Sequence, residues 1–291
     1  MAVTAAQVKE LRERTGAGMM ECKKALVESH ADMDAAIEHL RKAGLAQADK
    51  KASRVAAEGK IALATSADGR QAVMVEVNCE TDFVAKDHSF NAFADAVAEI
   101  VLAHAPDSID ALLAARMGDI TVEQARQALI SKIGENVQLR RFERCTTDGT
   151  IGSYIHAGKI GVLVEISGSD TELARDLAMH IAALSPTYVS EQDVPSTVMA
   201  KEKEILLAQT ADSGKPADIV EKMVAGRLRK QLAGITLLGQ AFVKDSDVTV
   251  AKLLQQRKAS VKAFRRLAVG EGIEKKESNF ADEVMQQVKG G

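Results

Sequence analysis

Two stretches of the chain say nearly the same thing, Val73-Met74-Val75-Glu76-Val77 and Val162-Leu163-Val164-Glu165-Ile166. Each is a valine-rich run around one glutamate, and each follows a glycine-bearing turn, Ala67-Asp68-Gly69 in the first and His156-Ala157-Gly158-Lys159 in the second. Runs of this kind bounded by turn residues read as strands. The pattern that follows is repeated too: Phe93-Ala94-Asp95-Ala96-Val97 runs on to Pro106, and Leu173-Ala174-Arg175-Asp176-Leu177 runs on to Pro186. Both read as helices stopped before a proline. Ile166 lies 89 residues beyond Val77, whereas Pro186 lies 80 beyond Pro106, so the first copy holds nine extra residues between strand and helix. That insertion contains Thr81-Asp82-Phe83-Val84.

Outward from this duplicated core, the N-terminal side reads as three helices. Thr4 caps a pattern with Val8 and Leu11 on one face, stopped by Gly16 to Gly18; Met19, Cys22 and Leu26 mark a second helix; Asp32 opens a third, with Ile37 and Leu40 inward and Gly44 as its end. The polar run Lys50 to Arg54 reads as a helix end or linker. Ile61 to Thr65 and Gln71 to Val77 flank a hairpin turn, Thr121 to Ile133 reads as a helix, and Val137, Leu139 and Arg141 alternate as a strand. Beyond Pro186, Val194 to Gln209 and Ala217 to Leu232 read as two polar helices around Asp212-Ser213-Gly214-Lys215-Pro216. A loop that short makes antiparallel neighbours, and Val198, Ile205, Ile219 and Met223 supply a narrow seam. Phe264 to Val269 reads as a returning strand, and Asn279 to Met285 as the start of a terminal helix.

The fold class expected is α+β: an N-terminal three-helix module, a duplicated α+β core with antiparallel sheets, a protruding antiparallel coiled-coil hairpin and a C-terminal helix. The expected boundaries are 1–55 for the helical module, 56–146 for the first core part, 147–187 with 233–269 for the second, 188–232 for the hairpin and 270–291 for the terminal module. Two or three domains suit 291 residues.

Composition narrows the function. The 38 basic and 41 acidic residues are mixed along the chain, so no global basic field draws a phosphate backbone. Direct nucleic-acid binding is not expected, and an RNA-binding reading rests on Lys50 to Arg54 alone. Three scattered cysteines, Cys22, Cys79 and Cys145, make neither a disulfide framework nor a zinc site, which suits a reducing cytosol. The first residues are not a signal peptide and no stretch approaches membrane-span length, so a cytoplasmic, soluble protein is expected.

Catalytic patterns are missing. There is no phosphate-binding Gly-x-x-x-x-Gly-Lys-Ser/Thr, so the chain itself is not expected to bind GTP. The six histidines are scattered, with no His-x-x-x-His pair, and there is no Gly-x-Ser-x-Gly. No catalytic, cofactor or metal residue is assigned, and a small-molecule enzyme built on the duplicated core lacks its convergent titratable groups. His104 and His180 read as partly buried helical histidines. Phe83 is either a loop anchor folded back on its own protein or an exposed contact, and Asp82 either a cap or a functional carboxylate. Adjacent Met19 and Met20 cannot both face one small core, which leaves gap-filling or an adaptable contact face beside Arg12.

Five segments taken together resemble elongation factor Ts. They are Leu11 to Leu26, Val75 to Ala85 with its Glu80-Thr81-Asp82-Phe83-Val84, Lys132-Ile133-Gly134-Glu135-Asn136, Ser213-Gly214-Lys215-Pro216 and Val269 to Glu274, all in that family's order. The turn at His156 departs somewhat, with Lys159 where that family often has arginine. The resemblance implies a ubiquitin-associated-like N-terminal fold and a guanine-nucleotide exchange factor, not an enzyme, acting on the translational GTPase elongation factor Tu. It further implies that Thr81, Asp82, Phe83 and Val84 enter near that GTPase's Mg²⁺ and phosphate site, and that Arg12, Met19, Met20, His156 and the terminal helix add partner contacts.

Overall fold

The computed structural model describes residues 3–210 and 216–274 of the chain. Three helices come first: α1 (Ala5–Thr15), α2 (Met19–Glu28) and α3 (Met33–Lys51). Helix α1 starts with a reciprocal capping box, Thr4 Oγ1 accepting from Gln7 N at 3.3 Å while Gln7 Oε1 accepts from Thr4 N at 3.0 Å. It stops at Gly16, whose φ of 69° no side chain adopts cheaply and whose N–H donates to Arg12 O. Leu11, Cys22, Ala25, Leu26 and Ala36 form the core of the three. Helix α3 does not end at Gly44 as expected but continues to Lys51. Residues 45–51 contain no proline or β-branched residue to stop it, and one glycine costs a helix only about 1 kcal/mol.

The duplicated core follows. Its first copy runs β1 (Glu58–Thr65), β2 (Gln71–Cys79), α4 (Asp82–Ala85), α5 (His88–His104), α6 (Ile109–Ala114), β3 (Arg116–Met117), β4 (Ile120–Thr121), α7 (Val122–Ile133) and β5 (Gln138–Thr146). The second runs β6 (Thr150–His156), β7 (Ile160–Ile166), α8 (Thr171–Leu184), α9 (Ser196–Thr210), α10 (Ala217–Ile235), β8 (Ala241–Phe242), β9 (Asp245–Thr249), α11 (Val250–Gln256) and β10 (Val261–Ala268). The sheets are ordered β1-β2-β5 and β10-β7-β6, each with the second strand of a hairpin at the centre and the returning strand beside it. Strands β6 and β7 pair antiparallel from Thr150↔Ile166 to His156↔Ile160.

The equivalence reaches beyond the repeat read from sequence. Each copy has a small two-stranded ribbon, β3-β4 or β8-β9, leading into a helix capped by a threonine, Thr121 for α7 and Thr249 for α11. Helices α5 and α8 bury matching faces: Phe93, Ala94, Val97, Ala98 and Val101 in one, Leu173, Ala174, Leu177, Ala178 and Ile181 in the other. Both end in a left-handed residue with φ 48°, Ala105 and Ser185, each just before a proline.

Helices α9 and α10 pack together in the second copy, with Gln231 Nε2 donating to Glu202. Among the described residues of the two helices, Leu206, Thr210, Val224 and Leu232 are buried. The expected seam is corrected here, since Ile205 and Ile219 are exposed. A helical turn is 3.6 residues, so one position of phase decides which neighbour faces inward, and the sparse apolar pattern left that phase unfixed. The expected helix at Asn279 to Met285 and most of the loop at 212–216 lie outside the described residues.

By internal contacts the chain forms two compact units, Met1–Lys60 with Val75–Arg141 and Ala268–Gly291, and Ile61–Met74 with Phe142–Leu267. Among the described residues no helix is long and apolar enough to cross a membrane.

Candidate functional site

The insertion between β2 and α5 is ordered by hydrogen bonds from both sides. Relative to the second copy, the nine extra residues lengthen β2 by two, supply the four-residue α4 and start α5 three residues earlier. Thr81 is the N-cap of α4, its hydroxyl accepting from Val84 N at 3.4 Å. Asp82 is therefore not the cap. Its carboxylate is exposed on the first turn and paired with Lys86 at 2.7 Å. Upstream, the Glu135 carboxylate accepts from Glu80 N at 3.1 Å, Thr81 N at 3.0 Å and Thr81 Oγ1 at 2.7 Å. In return Glu80 accepts from Asn136 N at 2.7 Å. Downstream, Asp87 caps α5 by accepting from Ser89 N and Phe90 N, and Asn91 donates to Ala85 O.

Between these fixings Val84 is buried as the internal anchor, while Phe83 is 81% exposed. The two open readings of Phe83 are thereby decided for the free chain: Val84 folds in and Phe83 faces solvent. A phenylalanine left in water forgoes about 2 kcal/mol that burial would return.

A second exposed apolar face lies on α2, within the same unit. Met19 is 59% and Met20 72% exposed, so both methionines face outward. Met20 and Val27 lie along one side of a shallow depression that also includes Lys23, Lys24 and Glu28. Arg12 is exposed on α1. From the C-cap of α1, the Lys132 stem lies 3.9 Å from where a side chain on Gly16 would begin, and Lys132 Nζ donates to Ser89 Oγ at 2.6 Å, next to the insertion. His156 belongs to the other unit, exposed at the end of β6 with its Nδ1 3.1 Å from Tyr154 Oη. The turn after it is built by positive φ at Ala157 and Gly158.

The strongest charge cluster sits inside the scaffold. Glu76 on β2 is fully buried and accepts from Arg140 Nη1 at 3.0 Å, Arg141 Nε at 2.6 Å and Gly270 N at 2.8 Å. Burial works to raise its pKa, but the Gly270 N–H, the two guanidiniums and Asn78 together hold it below the usual carboxylate value. In the second copy Glu165 is less buried and accepts from Thr147 Oγ1 at 2.5 Å and Lys262 Nζ at 3.1 Å; its pKa is also lowered, against burial, by these partners. His180 is fully buried, not partly, and His104 is exposed. Val243 N donates to His180 Nδ1 at 3.1 Å, leaving Nε2–H for Gln240 Oε1 at 2.9 Å, and burial depresses its pKa. Among the described residues no three His, Cys, Asp or Glu side chains converge as a metal site. The residues that sequence reading did not assign are Glu80, Glu135 and Asn136; all three lay inside the quoted segments, but their mutual bonding across more than fifty positions had no local signal.

Comparison with known proteins defines this duplicated α+β chain first as a translation elongation factor. Residues 80–271 match the family model described as "Elongation factor TS". Similar relatives, each named elongation factor Ts, come from Thioalkalivibrio sulfidiphilus (60% identical over 292 residues, 100% of both chains), Methylococcus capsulatus (59% over 291, 99% of both) and Halorhodospira halophila (56% over 289, 99% of both). The chain belongs to the elongation factor Ts family.

Proposed function

We propose that the chain is a guanine-nucleotide exchange factor for elongation factor Tu, working in the cytoplasm by contact and not as an enzyme. The observation that carries this reading is Phe83, 81% exposed on a turn whose upstream residues, Glu80 and Thr81, are bonded to Glu135 of the scaffold. A GTPase holds GDP through backbone N–H groups, a helix N-terminus and Mg²⁺ on the phosphates. Phe83 enters as an apolar wedge that moves an element of that cradle, and the Asp82 carboxylate beside it disturbs the field and the water shell around Mg²⁺. Thr81 and Val84 fix the turn. Arg12, Met19 and Met20 dock on the GTPase, and His156 adds a contact from the second unit.

No covalent step and no cofactor or nucleotide bound by this chain are involved. Exchange follows from coupling: the factor binds the nucleotide-free GTPase more tightly than the loaded form, and by linkage nucleotide weakens the factor equally. The expected domain bounds go with this reading: a ubiquitin-associated-like module over 1–55, core parts over 56–146 and 147–187 with 233–269, a coiled-coil hairpin over 188–232 and a contact module over 270–291.

The test is release of a fluorescent GDP analogue from elongation factor Tu with the chain at catalytic amounts, beside an Asp82→Ala, Phe83→Ala double variant. Fast release, lost by tenfold or more in a folded variant, is the expected outcome, because an interaction needed only at the barrier acts on rate (roughly 1.4 kcal/mol per tenfold). A parent chain that releases nothing sinks the reading; release retained by the variant moves the action away from this loop.

A further inference from the structure

We infer that Glu135 is the positioning residue of the Phe83 turn, acting through Thr81 without itself touching the partner; this rests on the exchange reading above. The inference begins with α4, whose four residues form one helical turn. A single turn cannot sustain itself, since nucleation fixes several dihedral angles for one hydrogen bond. Something outside the turn must hold it.

Helix α7 supplies that holder. It ends at Gly134, where a φ of 85° turns the chain off the helix axis, and the next residue is Glu135. One carboxylate oxygen takes the N–H groups of Glu80 and Thr81, at 3.1 and 3.0 Å, and the other takes the Thr81 hydroxyl at 2.7 Å. The hydroxyl proton is thereby committed to Glu135, which turns a lone pair of Thr81 Oγ1 toward Val84 N, the bond that caps α4. The carboxylate thus sets the cap, and the cap sets the direction of Phe83. A reverse latch from Asn136 N to Glu80 Oε1 ties the same two segments together, and Asn136 Nδ2 also donates to Arg54 O at 2.8 Å. The connection after α3 and the Phe83 turn therefore share one hydrogen-bonded knot. Removing the carboxylate leaves two N–H groups and a hydroxyl searching for water, each bond to a charged acceptor being among the stronger ones in proteins.

The experiment uses the full chain as parent, Glu135→Ala, Glu135→Gln, Phe83→Ala and the Glu135→Ala, Phe83→Ala pair. Amide hydrogen exchange is read on the free chain, and release of a fluorescent GDP analogue is read on elongation factor Tu. In Glu135→Ala, protection at Glu80, Thr81 and Val84 is expected to fall with that of β2 and α5 unchanged, and release to slow by about tenfold. Glu135→Gln is expected to recover most of the rate, since its carbonyl oxygen can take both N–H groups and its amide can donate to Thr81 Oγ1. In the Phe83→Ala background, Glu135→Ala is expected to cost nothing further, because the two act as one unit. Release unchanged in Glu135→Ala, an equal loss in both backgrounds, or unchanged protection overturns the inference. A parent chain inert in release overturns the exchange reading and this inference with it, and loss of protection in Glu135→Ala separates that result from a clamp that was never there.

Discussion

The two copies of the core are built from the same parts and differ in what is inserted into them. In the first, β2 leads through α4 into α5, and Phe83 stands outward; in the second, β7 leads into α8 across residues 167–170 with no such turn. In exchange, the second copy carries α9 and α10 where the first has the six-residue α6. The shared positions are the buried ones, Phe93 matched by Leu173, Val97 by Leu177, Val101 by Ile181. Burial energy is thus held in common, at about 1.5–3 kcal/mol for each large side chain, and the outward-facing Phe83 stands on a segment that the shared core does not need.

The sharpest way to break this equivalence is at the strand glutamates. Glu76→Ala takes the carboxylate from two part-exposed guanidiniums, each left with a backbone carbonyl, and from the Gly270 N–H, and is expected to cost about 3–5 kcal/mol in urea unfolding. Glu165→Ala frees Thr147, a half-exposed Lys262 and the weak donor Cys145 Sγ, and is expected to cost about 1–2 kcal/mol. Equal losses would mean that the two carboxylates are equivalent after all.

Acid should separate the copies in the opposite order. Glu76 and Glu165 have lowered folded pKa values, so their stabilisation is complete above the unfolded carboxylate value of about 4.3 and is lost as pH falls through the folded values. His180 has a lowered folded pKa as well, so the unfolded chain takes up its proton first, and stability declines as pH falls below about 6.5 toward the folded value. Its counterpart in the first copy is Ile100, which does not titrate. The unit containing His180 is therefore expected to loosen at milder acidity. Both tyrosines, Tyr154 and Tyr188, lie in that unit, so tyrosine emission against pH reads it selectively. Simultaneous loss of protection in α5 and α8 between pH 6.5 and 5 would refute the distinction.

Smaller effects test the match at the helix ends. Ala105→Gly and Ser185→Gly each relieve a left-handed residue, and each is expected to stabilise by about 0.5–1 kcal/mol, by the same amount in both copies. A gain in one and not the other would show that the two stops differ despite their shared φ. Smallest of all, Phe83→Ala is expected to change the unfolding free energy by no more than about 0.5 kcal/mol, since its side chain touches little of its own protein. A larger loss would make Phe83 part of the first copy's core.

Much of this was legible in the sequence where the signal is local. Thr4, Gly16, Thr121 and the two prolines bound their helices as cap chemistry requires, and the valine-rich strands declared the duplication. Legibility failed where distant residues decide. Gly44 looked like a stop and is a passage, because the helix-forming residues after it outweigh one glycine. Leu206 and Val224 took the buried places assigned to their neighbours Ile205 and Met223, since a weakly apolar helix carries no strong phase of its own. The exposure of Phe83 and the work of Glu135 depended on a contact spanning 54 positions, and no window along the chain contains both ends.

The brevity of α4 carries a practical consequence for inhibitor chemistry. A synthetic peptide copied from 78–90 would keep Asp82 and Phe83 but lose the Glu135 carboxylate, and in water it would be an unstructured strand of chain. A useful mimic would have to replace that carboxylate with a covalent bridge from the Thr81 position, so that the aromatic group is presented in the direction that the parent protein sets from the end of α7.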